Sequence, residues 1–278
     1  MRVPEDQIMS EVQQAGYEGV PVGPRERTAK ETLAFLDQYG LKPAPGYLGA
    51  DWWDPEQEES ILERARTLGK FMQDVGCTEL YVAAGGFDQY VTPRGLTRRQ
   101  IAANVKPEDA MTDAEFEQFA KALNKAGQIT LEYGVRSSFH NHVGSTIETR
   151  EEIDRLFDMV EPKLVFQGPD IGHLAWAGVD VTQFCHDYAQ DIKTVHIKDI
   201  APDVLKEGVE KEWTYGEFSD AGIFAELGEG MVDFPAMFDI LTEAGFEGWI
   251  VVETDVTQKP TALESATISR NYLKSIGY

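Results

Sequence analysis

The chain has 278 residues, and 42% of them are hydrophobic, which is enough for one large core of the kind found in α/β barrels. Its formal charge of −23 argues against binding to nucleic acid or to an anionic membrane surface, because both would repel it. No apolar run is long enough to cross a bilayer and the start has no signal-peptide character, so we expect a cytoplasmic protein with no membrane partner. Cys77 and Cys185 lack zinc spacing, and we expect both to be buried, reduced thiols.

The first half of the chain alternates between helical and strand periodicity, the pattern of βα units around a parallel sheet. The clearest helix carries an apolar stripe through Ile61, Leu68 and Met72. Thr112 and Glu115 have the spacing of a capping box at the start of another helix. The predicted elements are, in chain order, helix 3–16, strand 18–23, helix 28–39, a proline-broken strand at 41–50, helix 55–75, strand 79–86, an irregular stretch at 87–111 and helix 112–134.

The second half repeats the pattern more regularly. Thr149 and Glu152 form another predicted capping box. The predicted elements are strand 136–142, a helix from about 149, strand 164–173, helix 181–189, strand 192–200, an irregular segment at 201–230, helix 234–245, strand 248–254 and helix 263–276.

Together these elements predict a (β/α)₈ TIM barrel formed by a single domain over residues 1–278. Seven strands are found, and the missing one is the first, because the chain opens directly in a helix. A barrel short of one strand would have two unpaired edges. We therefore expect the first strand either to lie upstream of Met1 or to be replaced by another segment.

Reactive side chains follow the predicted strands at their carboxyl ends, where α/β barrels place their active sites. Glu148, Asp170, His196 and Glu253 each come after a short apolar run. Three carboxylates and one imidazole suit a hard divalent ion such as Mn²⁺ or Mg²⁺. Glu253 follows the apolar WIVV, where a carboxylate would be costly to bury without a cation or proton. Four of the five histidines lie at strand ends, and the fifth, His186, lies in a helix.

Five segments of the second half carry a family resemblance: HNHVGSTIET, PDIGHLAWAGVD, KTVHIKDI, FAELGEGMVDFPAMFDIL and GWIVVETD. In order and spacing they resemble the sugar isomerase/epimerase barrels of the xylose-isomerase-like superfamily, and most closely its inosose dehydratase group. The first half resembles the same barrels more diffusely, through PEDQIMSEVQQAGYEGVPVGP. The resemblance implies one bound divalent metal ion, Mn²⁺ with Mg²⁺ or Co²⁺ as alternatives, held by Glu, Asp, His and Glu at successive strand ends.

On this resemblance Asp170, His196 and Glu253 fill the last three places of the metal set. Glu148 is predicted as the first ligand, reaching in from the loop after its strand. Many members of the superfamily carry that glutamate within the strand, where this chain has His140, so His140 is the rival for this place. The structural alternative for Glu148 is a favourable charge near a helix N-terminus.

The resemblance also implies catalytic and substrate-binding residues. His140 and His142 share a face of one strand, and either could move a proton, while Glu148 and Glu253 are predicted to take part in catalysis as well. The predicted substrate contacts are His173, Lys198, Trp176 and Glu229. Trp52, Trp53 and Trp176 lie in loops, where they either stack on a sugar ring or anchor the loops.

The sequence therefore predicts a divalent-metal-dependent lyase or isomerase that removes a proton next to the carbonyl of a keto sugar or keto cyclitol, as in an inosose dehydratase. A keto-sugar epimerase or isomerase and a 3-keto C-glycoside deglycosidase subunit share the same first step and stay open. A non-catalytic sugar-binding or partner subunit is a different class. A metal-dependent endonuclease is disfavoured by the charge. The expected partners are a small polyhydroxylated keto substrate and either further copies of the chain or a small protein subunit.

Overall fold

Parallel strands form an open ring in the computed structural model, which describes residues 3–278. Pro45 separates two short strands that together form one bent barrel strand. The strands are β1 (Gly19–Pro21), β2 (Lys42–Ala44), β3 (Gly46–Ala50), β4 (Glu79–Ala84), β5 (Arg136–His140), β6 (Val165–Gln167), β7 (Val195–Ile197), β8 (Asp199–Ile200), β9 (Phe224–Ala225) and β10 (Ile250–Val252).

The order of the ring follows the chain. β1 pairs with β2, and β3, β4, β5 and β6 form one continuous parallel ladder. Parallel bridges from Gln167 to Ile192 and from Asp170 to His196 join β6 to β7, which in turn pairs with β10. Within residues 3–278 no ladder joins β10 to β1, so the ring is open at the position predicted for the missing first strand. A cavity of about 640 Å³ lies between these two strands.

Helices cover the outside of the ring, and several begin and end at the predicted signals. The capping boxes of Thr112 with Glu115 and of Thr149 with Glu152 are both formed, and Gly16 ends the first helix at φ 89°. The helices are α1 (Glu5–Ala15), α2 (Ala29–Asp37), α3 (Glu58–Val75), α4 (Asp113–Leu131), α5 (Arg150–Met159), α6 (Ile171–Trp176), α7 (Val181–Tyr188), α8 (Pro202–Glu210), α9 (Tyr215–Asp220), α10 (Phe234–Glu243) and α11 (Ala262–Ser275).

Two sequence-based assignments are wrong in this part of the chain. The segment 201–230, predicted to be irregular, contains α8, α9 and β9, and β9 pairs antiparallel with β8 just before the segment. Its helices are short, and the capping box of Thr214 with Glu217 is their clearest local signal. The strand predicted over 164–173 ends at Gln167, because Asp170 caps α6. The irregular stretch 87–111 is confirmed, with two short 3₁₀ turns.

The alternation of side chains along the strands separates the core from the site. In β4, Leu80 and Val82 pack in the main hydrophobic core between the strands and the helices. Tyr81 points to the other side, where its ring centroid lies 4.3 Å from that of His196. Each large apolar side chain buried in this core contributes about 1.5–3 kcal/mol to folding. None of the helices described in residues 3–278 is long and apolar enough to cross a membrane.

Candidate metal centre

β5, β6, β7 and β10 end at the same mouth of the barrel and bring four predicted side chains together. His140 is the last residue of β5, and Asp170 follows β6 and caps α6 by accepting the His173 N–H at 3.0 Å. His196 lies in β7, where it pairs with Asp170 across a parallel bridge. Glu253 follows β10, and its N–H donates to a carbonyl of β7 at 3.0 Å. The register of the ring therefore sets the positions of these side chains.

Three of them form a buried group at distances that suit one metal ion. His140 Nε2 lies 3.8 Å from Asp170 Oδ2, and His196 Nδ1 lies 3.9 Å from the same oxygen. Potential ligand atoms of all three residues lie within 4.8 Å of one another. Glu253 reaches the group from its more open side, with Oε2 3.0 Å from His196 Nδ1. We name these four residues, His140, Asp170, His196 and Glu253, the ligand cluster.

The chemistry of the ligand cluster fits a divalent cation. Asp170 Oδ2 and His140 Nδ1 are buried atoms without a hydrogen-bond partner among residues 3–278. Buried polar atoms are normally satisfied, so a free carboxylate oxygen between two imidazoles fits the place of a cation. Two imidazoles and two carboxylates suit Mn²⁺, Co²⁺ or Zn²⁺ better than Mg²⁺, which prefers oxygen ligands.

Burial keeps His140 neutral, which is the form in which a histidine can bind a metal ion. Desolvation, followed by the charge of His196, lowers the pKa of His140 well below its usual range. Desolvation also raises the pKa of Asp170 to about 6, although Lys198 acts in the opposite direction. Burial acts to raise the pKa of Glu253 as well, but the hydrogen bond from His196 and the charge of Lys198 outweigh it and lower that pKa.

Lys198 places a buried ammonium group beside the ligand cluster. Its Nζ lies 3.1 Å from Glu253 Oε2, 3.2 Å from Asp170 Oδ2 and 2.6 Å from Asp255 Oδ2. The contact with Asp170 Oδ2 lacks hydrogen-bond geometry. Burial disfavours the charged form of Lys198, but these three carboxylates outweigh it and raise its pKa well above the usual value. The ammonium therefore neutralises part of the negative charge at the mouth of the barrel.

A family model described as xylose isomerase-like TIM barrel matches residues 9–276. The chain belongs to the xylose isomerase-like TIM barrel family. It is 32% identical over 267 residues to an inosose dehydratase of Geobacillus kaustophilus (strain HTA426), over 96% of this chain and 84% of that protein.

Solved structures of other barrels share the fold of this family member. The crystal structure of the probable 3-DHS dehydratase AsbF from Bacillus anthracis matches with a TM-score of 0.72 and 14% identity, over 99% of this chain and 94% of that one. The IolI protein with a bound zinc atom matches with a TM-score of 0.71 and 15% identity, over 99% and 93% of the two chains. The predicted TIM-barrel fold and the predicted superfamily are thereby confirmed, and the chain is an enzyme.

In this TIM barrel the structure does not bring Glu148 into the ligand cluster. Glu148 Oε1 accepts the N–H of Ala103 and Oε2 accepts the N–H of Gly144, each at 2.7 Å. The strand-end position belongs to His140, whose Nε2 faces Asp170. Both oxygens of Glu148 are taken by backbone amides of two loops, and His140, its predicted rival, is the residue that lies beside Asp170.

His142 and His173 pack against each other beside the cluster, with ring centroids 3.6 Å apart and ring planes tilted by 37°. His142 Nδ1 lies 2.7 Å from Val143 O, which assigns its proton to Nδ1 and leaves Nε2 as an acceptor. Burial, followed by the charge of Lys198, lowers the pKa of His142 to about 3. His173 Nε2 lies 3.3 Å from Lys198 Nζ. The two histidines predicted as catalytic thus occupy different places. His140 lies in the ligand cluster, whereas His142 lies beside it and keeps Nε2 free to accept a proton.

The remaining predicted contacts lie further from the cluster. Trp176 is only 1% exposed and stacks behind His173, so it supports that ring and offers no face to a substrate. Glu229 pairs through its carboxylate with Lys259 at 2.6 Å. Trp52 is fully buried, and its indole N–H donates to a carbonyl of β4, so it anchors its loop.

Two residues that sequence reasoning passed over hold the site in place. Asn141 Nδ2 donates to the carbonyl of Asp170 at 3.2 Å, and Asn141 Oδ1 accepts the Asp170 N–H at 3.0 Å. Asp255 is the closest carboxylate to Lys198. Asp255 comes two residues after Glu253, just beyond the end of β10, and both carboxylates contact Lys198 Nζ. The spacing alone could therefore have indicated it. No sequence pattern indicates the role of Asn141, because it binds the backbone of Asp170, 29 residues away in the chain.

Proposed function

We propose that this chain is a metal-dependent dehydratase of a keto cyclitol, of the inosose dehydratase type. The observation that carries the proposal is the ligand cluster, where Asp170 Oδ2 lies between His140 and His196 without a hydrogen-bond partner and 3.2 Å from the Lys198 ammonium. His142 lies beside it, with Nδ1 facing Val143 O and Nε2 left as an acceptor. The Geobacillus kaustophilus relative, an inosose dehydratase, supports the choice of substrate class. We also propose that residues 1–278 form one catalytic domain.

The proposed cofactor is one divalent ion held by His140, Asp170, His196 and Glu253. A bound ion supplies Lewis acidity to a ketone oxygen and an adjacent hydroxyl oxygen. Mn²⁺ is the ion predicted from the sequence, and the two imidazoles favour Mn²⁺, Co²⁺ or Zn²⁺ over Mg²⁺. The zinc of the IolI structure agrees with a transition metal in this fold.

The protein's own residues divide the proton chemistry between them. His142 accepts the proton of the carbon next to the carbonyl on Nε2, which is free because Nδ1 faces Val143 O. Burial keeps the ring neutral at physiological pH, and the same low pKa favours return of the proton in the second step. The ammonium of Lys198 stabilises the negative charge that develops on the substrate oxygen. The electron pair of the broken C–H bond forms the new C=C bond. Protonated His142 then returns its proton to the β-hydroxyl, which leaves as water.

The competing outcomes share the first proton transfer and differ in the second step. Return of the proton to the opposite face of the carbon gives an epimer, and loss of a larger group from a 3-keto glycoside gives C-glycoside cleavage. We would incubate metal-free and Mn²⁺-loaded protein with 2-keto-myo-inositol, a ketohexose and a 3-keto glycoside. The expected result is loss of one water from the keto-inositol, with Mn²⁺ only.

Each other result points to a different function. An isomer of unchanged mass indicates an epimerase, and release of an aglycone indicates a deglycosidase. Protein that neither binds Mn²⁺ nor gains thermal stability from it overturns the metal proposal and leaves a sugar-binding or partner subunit.

We further propose the cytoplasm as the location and either a homo-oligomer or a small protein subunit as the partner. Cys77 and Cys185 are free and buried, and desolvation raises the pKa of each to about 12, in keeping with unreactive thiols in a reducing compartment. The charge of −23 opposes nucleic acid as a substrate. Sedimentation velocity at several protein concentrations measures the oligomeric state.

A further inference from the structure

Glu148 is a buried carboxylate that joins two loops at the mouth of the barrel. It is 1% exposed. Its Oε1 accepts the N–H of Ala103, in the stretch 85–111, which we name the wall loop. Its Oε2 accepts the N–H of Gly144, in the segment 141–149, which we name the histidine loop because it carries His142. One side chain thus satisfies a backbone donor on each side.

The backbone that Glu148 contacts is unusual on both sides. Ala103 has φ 58° and Gly144 has φ 82°, both in the left-handed region. Glycine adopts this region freely, but an alanine there is strained and persists only where the surroundings hold it. The N–H of Ala103 points at Glu148, so the carboxylate is the contact that stabilises the strained turn of the wall loop.

Buried charge connects the same two loops a second time. Arg98 of the wall loop is fully buried and donates to both oxygens of Glu152 at 2.9 Å. Glu152 Oε2 also accepts the N–H groups of Glu148 and Thr149. Arg98 Nη2 lies 3.9 Å from Glu148 Oε2, which gives the Glu148 carboxylate a positive neighbour.

The two loops joined by Glu148 lie next to His142, the residue on which the proposed chemistry depends. His142 follows β5, six residues before Glu148, and its ring centroid lies 5.1 Å from that of Phe87 in the wall loop. The wall loop therefore forms one side of the space that holds the His142 ring, with His173 on another side. Glu148 fixes the distance between the two loops through its two amide contacts.

We propose that Glu148 is a positioning residue that locks the wall loop to the histidine loop and thereby holds His142 against the substrate. The effect on catalysis rests on the proposed function, whereas the locking of the loops does not. A metal ligand and a loop lock make opposite predictions for the same substitution. Loss of a ligand weakens metal binding, and loss of the lock frees the wall loop.

The first variant is Glu148→Gln, which keeps the shape but presents an amide NH₂ to one of the two backbone N–H groups. We expect Mn²⁺ affinity within twofold of wild type by titration calorimetry. Trypsin at pH 8, where the Glu148 carboxyl is ionised, should cleave the wall loop, at the exposed Arg94 and Arg99, at least tenfold faster. With the keto-inositol substrate, kcat should fall at least tenfold while Mn²⁺ still saturates the protein.

Glu31→Gln is the matched control, because Glu31 also accepts a backbone N–H, from Thr28 at 2.8 Å, but in the capping box of α2. We expect wild-type cleavage of the wall loop in this control. Ala103→Val should weaken the same contact through the wall loop, because a β-branched residue disfavours the positive φ of this position. It leaves Glu148 unchanged. It should reproduce the fast cleavage with unchanged Mn²⁺ affinity, and it keeps the test decisive if Glu148→Gln does not fold.

Two results would overturn the proposal. One is loss of Mn²⁺ affinity in Glu148→Gln with the wall loop still protected, which would make Glu148 a ligand. The other is wild-type protection of the wall loop in both variants. Because proteolysis needs no substrate, a chain without dehydratase activity would refute the proposed function while leaving the loop lock supported or refuted on its own data.

Discussion

His196 and Glu253 are in contact across two neighbouring parallel strands, with Nδ1 and Oε2 3.0 Å apart. The register pairs His196 with Val251, so Glu253 extends two residues beyond that pair and returns to the same side of the sheet. Asp170 Oδ2 lies 3.9 Å from the same nitrogen. A cation bound here would neutralise the negative charge of both carboxylates. Substituting either carboxylate should therefore weaken metal binding, which tests the metal proposal.

Glu253→Gln should remove most of the metal affinity and leave the fold intact. The amide keeps the size of the side chain but loses the charge that attracts a divalent ion. We expect the Kd for Mn²⁺ to rise by about 100-fold or more. Titration calorimetry measures the affinity, and the far-UV spectrum of the metal-free protein reports on the fold.

The exposed carboxylate of Glu243, at the end of α10, provides the control for that experiment. Glu243→Gln makes the same chemical change outside the cluster, so its Mn²⁺ affinity should equal that of wild type. Equal affinity in Glu253→Gln would exclude Glu253 as a ligand.

His142→Ala and His140→Ala should separate proton transfer from metal binding. The sequence assigned His140 to proton transfer or, as the rival of Glu148, to the metal. Because His140 lies in the ligand cluster, His140→Ala should weaken Mn²⁺ binding at least tenfold. His142→Ala should bind Mn²⁺ normally and lose exchange of the substrate α-hydrogen with deuterated solvent, as measured by NMR. Exchange that survives in His142→Ala would exclude that residue as the base.

The sequence predicted the barrel and the strand ends at which the clustered side chains lie, because both depend on local signals. The alternation of residues at each strand end identified His140, Asp170, His196 and Glu253 as neighbours at one mouth. The position of the Glu148 side chain depends instead on where a loop 45 residues earlier places the N–H of Ala103. A local sequence pattern cannot predict a contact between residues so far apart in the chain. The same limit applies to Trp176, whose burial behind His173 depends on packing.

Lys198→Met should make the stability of the protein depend on metal. The ammonium is fully buried beside Asp170, and removing one partner of a buried charge pair costs about 3–5 kcal/mol. For a chain of this size each kcal/mol corresponds to roughly 2–4 °C in Tm, so the metal-free variant should melt about 10 °C lower.

Added Mn²⁺ should restore part of this loss in Lys198→Met, because it supplies positive charge to the same carboxylates. Differential scanning calorimetry with a chelator and with excess Mn²⁺ measures both values. A variant whose Tm equals that of wild type with the chelator would show that the Lys198 ammonium does not stabilise the carboxylates.

The stability of the metal-free protein should fall as pH rises through neutrality, in part because of Glu148. Burial raises the pKa of this carboxyl from 4.5 to about 7, although Arg98 and the hydrogen bonds from the Gly144 and Ala103 N–H groups act in the opposite direction. A group whose pKa is higher in the folded state contributes its full stability below the unfolded value and loses it as pH rises through the folded value. At 1.36 kcal/mol per pKa unit, the loss between pH 5.5 and pH 8 is about 2 kcal/mol.

Urea unfolding of wild type and Glu148→Gln at pH 5.5 and pH 8, with a chelator present, measures this contribution. Asp170, whose pKa is raised to about 6, titrates in the same direction in both proteins, so the difference between them isolates Glu148. The advantage of wild type over the variant should be smaller at pH 8 than at pH 5.5. An advantage that is equal at both values, or larger at pH 8, would mean that the Glu148 carboxyl is already ionised at pH 5.5 and that its two amide contacts and Arg98 outweigh burial.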